Sequence, residues 1–162
     1  MSLMDTLRGE DSKETTVANA VDLLKADHDQ VADLLQQFDK ANGNRQKALA
    51  KQICDALKVH ARIEEEIFYP AARQALAEED QPLLDEADVE HATIKGLVGR
   101  IESGRVGDHF AAFVKVLGEY VNHHVKEKEG ELFPKVRSSD LDLDVIGVKL
   151  AERKQELVRA PG

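Results

Sequence analysis

The sequence predicts an all-α protein: an antiparallel up-down-up-down four-helix bundle, built as a duplicated helical hairpin, with a short C-terminal helix. Three observations predict it. Almost every stretch after Thr16 spaces its apolar residues three and four apart, and no run alternates apolar and polar residues as a half-buried strand would. The breaks between these stretches are short, which favours antiparallel neighbours. The second half of the chain also repeats the first.

The first helix is expected over about 16 to 41, with Val21, Leu24, His28, Val31, Leu35 and Phe38 on one face, and the Asn42-Gly43-Asn44 break ends it. The second runs from about 45 to 78 and carries Leu49, Ile53, Leu57, His60, Glu64 and Ile67. Pro70 lies inside its pattern and predicts a kink or a break there. Pro82 marks the first turn of a third helix, which carries Leu84, Ala87, His91, Ile94, Val98 and Ile101 and stops near Ser103-Gly104. The fourth, about 107 to 137, carries Phe113, Leu117, Val121 and His124. Asp140 opens a short helix through Val158. This organisation divides the chain into a flexible N-terminal segment (1–15), the bundle (16–137) and a partly helical extension (138–162).

Composition narrows the function. Hydrophobic residues make up 42% and charged ones 33%, as in one soluble globular domain. The net charge of −9 argues against nucleic acid, which is bound by clustered Lys and Arg. No apolar run approaches the roughly 18 residues that span a membrane, and no secretory leader is evident, so a cytoplasmic location is expected by default. Cys54 is the only cysteine. It reads as a buried core thiol and excludes a thiolate-rich metal site.

The repeat organises the histidines. Asp27-His28 followed by Val31, Leu34 and Leu35 matches Glu90-His91 followed by Ile94, Leu97 and Val98. "HARIEEEIFYP" from His60 to Pro70 matches "HHVKEKEGELFP" from His123 to Pro134, and aligning the prolines pairs His60 with His124. His28, His60, His91 and His124 therefore each replace an apolar residue on the inward stripe of a different helix. A lone histidine on such a stripe is ordinarily a core residue bonded to a carbonyl. Four, one per helix and related by a repeat, are a different matter. Glu64 lies one turn after His60 on the same face, and a buried carboxylate has to be paired, protonated or bound to a metal. A divalent or trivalent cation satisfies all five residues together. His109 fits no stripe and reads as surface, and His123 lies about 100° round the helix from His124.

The order H…H-x-x-x-E…H…H, carried by these motifs over roughly residues 16 to 137, resembles the hemerythrin-like HHE cation-binding domain. The resemblance implies a four-helix bundle around a carboxylate-bridged pair of non-haem iron ions, with His28, His60, Glu64, His91 and His124 at ligand positions. It also implies a partner that is dioxygen, another small diatomic or peroxide. Imidazole and carboxylate without sulfur suit iron, and manganese and zinc are compatible. The pattern departs at Lys128, where the family's second half carries a carboxylate. Glu127, with Glu129 as the alternative, is expected to swing in as the replacement ligand, with Lys128 reaching solvent along its aliphatic stem. Asp27 and Glu90 are near enough to orient imidazoles but are expected to point outward. A metal-binding, oxygen-binding or oxygen-sensing protein is the leading reading. A redox enzyme acting on peroxide or iron, and a degenerate bundle used for protein contacts, are the alternatives.

Overall fold

The computed structural model describes residues 18–159; the expected flexible segment 1–15 lies outside them. Helix α1 is Ala20–Lys40. It starts at Asn19, whose side-chain oxygen accepts from the Asp22 N–H and satisfies one of the open amides of the first turn. After Asn42 the chain turns through Gly43, at φ +55°, a left-handed conformation that suits glycine. Helix α2, Gly43–Ile63, follows.

The chain does not break at Pro70. Instead α2 widens into a five-residue π segment, Glu64–Phe68, in which the Tyr69 N–H reaches back to the Glu64 carbonyl, and continues as α3, Tyr69–Ala75. The proline thereby sits in the first turn of a new α-helical stretch, where its missing N–H costs least. The second half does the same. Helix α4 is Gln81–Glu102 and α5 is Phe110–Glu127. A second π segment, Lys128–Leu132, then leads into α6, Phe133–Arg137, with Pro134 in its first turn. Each π segment begins on the residue four after a core histidine, and such wide turns recur at functional sites. The C-terminal helix α7, Leu143–Arg159, packs on α1, α2 and the first π segment.

Two apolar cores divide the bundle. One holds Val21, Leu24, Phe68, Leu84, Phe133, Ile146 and Leu150. The other holds Val31, Phe38, Leu49, Ile53, Val98, Leu117 and Val121. Along α1, α2 and α4, and along α5 with the π segment and α6 that follow it, the histidine falls between the residues that enter one core and those that enter the other. A polar layer is thus held between two apolar plugs that exclude water from either end. Cys54 is buried in the second core. Among the described residues, no helix is long and apolar enough to cross a membrane.

Candidate metal centre

His28, His60, His91 and His124 are all buried, as are Glu64 and Lys128. Each imidazole is held from outside by a carboxylate on Nδ1. His28 pairs with Glu129 at 2.7 Å, His60 with Asp27 at 2.9 Å, His91 with Glu65 at 3.0 Å and His124 with Glu90 at 2.8 Å. Asp27 and Glu65 are in turn paired with Lys154 and Lys95. Committing the Nδ1 proton to an acceptor fixes the tautomer and turns the Nε2 lone pair inward, the arrangement that supports metal-binding histidines.

The imidazoles are arranged with a pseudo-twofold relation that follows the repeat. The ring centroids of His28 and His60 are 4.9 Å apart at 64°, and those of His91 and His124 have the same separation and angle. Glu64 lies between the pairs. Its Oε1 is 3.0 Å from His60 Nε2 and 3.1 Å from His91 Nε2. With the Nδ1 protons committed, these contacts set acceptor against acceptor, and a proton or a cation has to lie between them.

The remaining inward atoms tell the same story. Among the described residues, His28 Nε2 and His124 Nε2 are buried with no hydrogen-bond partner, a state that costs stability in a folded protein unless a ligand relieves it. Burial, with the Lys128 ammonium adding to it, pushes both histidines down to about 2, so both are neutral with free lone pairs. For Glu64, burial would raise the pKa, but His60 and Lys128 hold it well below the usual carboxylate range. The donor set therefore fits a cation. His28, His60 and Glu64 converge as one group of three, and Glu64, His91 and His124 as another, with Glu64 common to both.

The structure brings together five of the six expected ligands and places the sixth, Glu127, apart from them. Glu127 lies at the rim, where it and Glu90 flank the exposed His123: the imidazole Nε2 is 3.1 Å from Glu127 Oε1 and 3.7 Å from Glu90 Oε2. Burial, reinforced by a hydrogen bond shared with Glu127, pushes Glu90 up to about 7. The reason for the misplacement is angular. Three residues after His124 falls about 60° short of a full turn, whereas Lys128, at four, is about 40° past it and on the histidine's face. Lys128 does not reach solvent. Its Nζ donates to both Glu64 oxygens, at 2.7 and 2.6 Å, and lies 3.3 Å from His60 Nε2. Burial lowers Lys128 from its ordinary value, while Glu64 supports its proton.

Four outer carboxylates, Asp27, Glu65, Glu90 and Glu129, were not assigned their roles from sequence. Asp27 and Glu90 do not point outward but support His60 and His124. Glu129 enters as the outer partner of His28 rather than as an inner ligand. The available signal was the repeat itself, which places an acid before the first histidine of each half and another directly after Glu64 and Lys128. Tyr69, buried with its hydroxyl 3.2 Å from His91 Nε2, corresponds to Phe133, which stacks on His28. Burial, reinforced by the Glu64 carboxylate, raises the Tyr69 phenol well above its usual value. His109 is exposed, as its lack of a stripe indicated.

Comparison with known proteins agrees with this geometry. The Hemerythrin HHE cation binding domain matches residues 19–136. A protein of Nostoc sp. (strain PCC 7120) named DNA nickase is 30% identical over 124 residues, covering 75% of this chain. The match covers 34% of that relative, so the chain spans about a third of its length. The crystal structure of a hemerythrin HHE cation binding domain-containing protein from Mycobacterium kansasii superposes with a TM-score of 0.73 at 22% identity, over 90% of this chain and 94% of that one, and shows the same fold. Matched over most of its length by the family's own pattern, and presenting buried histidines from four helices to a shared glutamate, the chain belongs to the hemerythrin HHE cation-binding domain family.

Proposed function

We propose that the protein binds non-haem iron at this centre and uses it to bind or sense dioxygen or a related small molecule. The observation that carries the reading is the set of four buried imidazoles, outer nitrogens held by carboxylates and inner nitrogens converging on Glu64, two of them with no partner. Iron would supply a redox-active cation with positions open to a small ligand, and manganese or zinc would satisfy the same donors.

The surroundings favour a small ligand. A cavity of about 30 Å³ adjoins the histidines and is walled by Val31, Leu57, Ile94, Val121 and Val125. That is room for one water-sized molecule. The cavity's polar lining is Asp27, the four histidines and Lys128. DNA nicking, for which the Nostoc protein is named, does not extend to this chain in our reading. Its 31 acidic residues against 22 basic ones disfavour a phosphate backbone. A location in the cytoplasm follows only as part of this proposal.

Anaerobic reconstitution with ferrous iron, followed by metal analysis and ultraviolet-visible spectra through cycles of oxygen exposure and removal, tests the reading. Retained iron with bands that change reversibly is expected. Sustained turnover of added peroxide would favour the redox enzyme, and failure to retain iron would sink the proposal. Iron bound only to the folded state should also stabilise it by about 3 kcal/mol at a hundredfold excess over Kd.

A further inference from the structure

The two groups of three ligands are not equivalent, and Lys128 makes the difference. The His28–His60–Glu64 group already contains a cation. The Lys128 ammonium is bonded to both oxygens of Glu64 and lies 3.3 Å from His60 Nε2, so it touches two of that group's three ligands. It is 3% exposed and Glu64 is fully buried, so bulk solvent screens neither charge. The opposing charges of the pair neutralise one another inside the polar layer, as a buried ion pair must.

In the Glu64–His91–His124 group the ammonium touches Glu64 alone. Among the described residues Lys128 forms no hydrogen bond with His91 or His124. His124 Nε2 has no partner, and His91 Nε2 meets only Glu64 and the Tyr69 hydroxyl. Two imidazoles and one carboxylate on one side of an ion, with the other positions open, is the donor set of mononuclear non-haem iron sites. A second ion in the first group would have to displace the ammonium from the core or stand beside it. Glu64 would then be the one inner carboxylate facing three positive centres, with none supplied by the second half.

We infer that the centre holds one metal ion, bound by Glu64, His91 and His124, and that the Lys128 ammonium is the permanent occupant of the place a second ion would take. The inference rests on the reading of the centre as an iron site. It assigns Lys128 a role at that site: it keeps Glu64 charge-balanced and holds the count at one. The protein is then mononuclear on a scaffold whose duplicated form could accept two ions.

The test is metal content and magnetism. Wild type, Lys128→Glu, His28→Ala and His91→Ala are reconstituted anaerobically with excess ferrous iron, desalted and assayed for metal per chain. Each is then oxidised and examined by electron paramagnetic resonance. One ion per chain and the signal of an isolated high-spin ferric ion are expected for wild type. Lys128→Glu, which supplies the missing carboxylate, should bind two and lose most of that signal through coupling of the pair. His91→Ala should lose the ion, and His28→Ala should keep it. Two ions in wild type, or an ion lost with His28 and kept without His91, overturns the inference while leaving the iron-site reading intact. No ion in wild type and none in Lys128→Glu overturns both. The wild-type count and spectrum decide the matter even where a variant fails to fold.

Discussion

The two hairpins, α1 to α3 and α4 to α6, match residue for residue around the centre and yet end in opposite charges. Asp27 answers to Glu90, His28 to His91, His60 to His124, Glu65 to Glu129, and each half carries its own π segment and proline. Against that background Glu64 faces Lys128 and Tyr69 faces Phe133. The scaffold tolerated the exchange of a carboxylate for an ammonium because the two residues meet at the pseudo-twofold axis, where the new charge cancels the old one. A second difference lies outside the centre. Helix α7 packs chiefly on the first hairpin, and its Lys154 pairs with Asp27, whereas the corresponding Glu90 shares its surroundings with His123 and Glu127. Duplication supplied the frame, and single substitutions made the halves chemically distinct.

The largest effect that can break this comparison is expected at the axis itself. Glu64→Gln leaves the Lys128 ammonium buried without a counter-charge and should cost about 3–5 kcal/mol in urea denaturation of the metal-free protein. Lys128→Met should cost less, because the imidazoles of His60 and His91 remain beside Glu64. Replacing both residues by apolar ones of similar size should recover most of the loss. If Glu64→Gln proves nearly neutral, the pair does not hold the halves together.

The next effect sharpens which half carries the ion. Glu90→Gln weakens the support of His124 and should reduce metal affinity about 10- to 100-fold, as loss of an outer carboxylate does elsewhere. Asp27→Asn, which weakens His60, should leave affinity nearly unchanged while destabilising α7 through Lys154. Competition against a chelator of known affinity measures both, and equal losses in the two variants would contradict an ion held by Glu64, His91 and His124.

The smallest effect separates neighbours on one helix. His123→Ala, at an exposed position, should change stability by no more than about 0.5 kcal/mol and leave metal content unaltered, whereas His124→Ala should abolish binding. Loss of metal in the His123 variant alone would mean that the register drawn from the repeat is wrong by one residue.

The sequence by itself determined the helices, their order and the inward histidines. Those depend on a 3.6-residue period and on a repeat, and both are properties of the linear chain. It also marked Glu64, because a residue four after His60 must share its face. What it could not determine is where a charge on one helix meets a charge on another. Lys128 was expected to turn away because an ammonium repels a metal, and the structure buries it because α2 brings Glu64 to the same point. Asp27 and Glu90 were expected to face outward, and imidazoles from α2 and α5 turn them inward. Glu127 and Lys128 differ by one step along α5, and the packing of four helices against a common centre, extended by the π segment that opens at Lys128, decides which of them enters. Local spacing selects the face of a helix, but only tertiary structure supplies the partner that makes a buried charge stable.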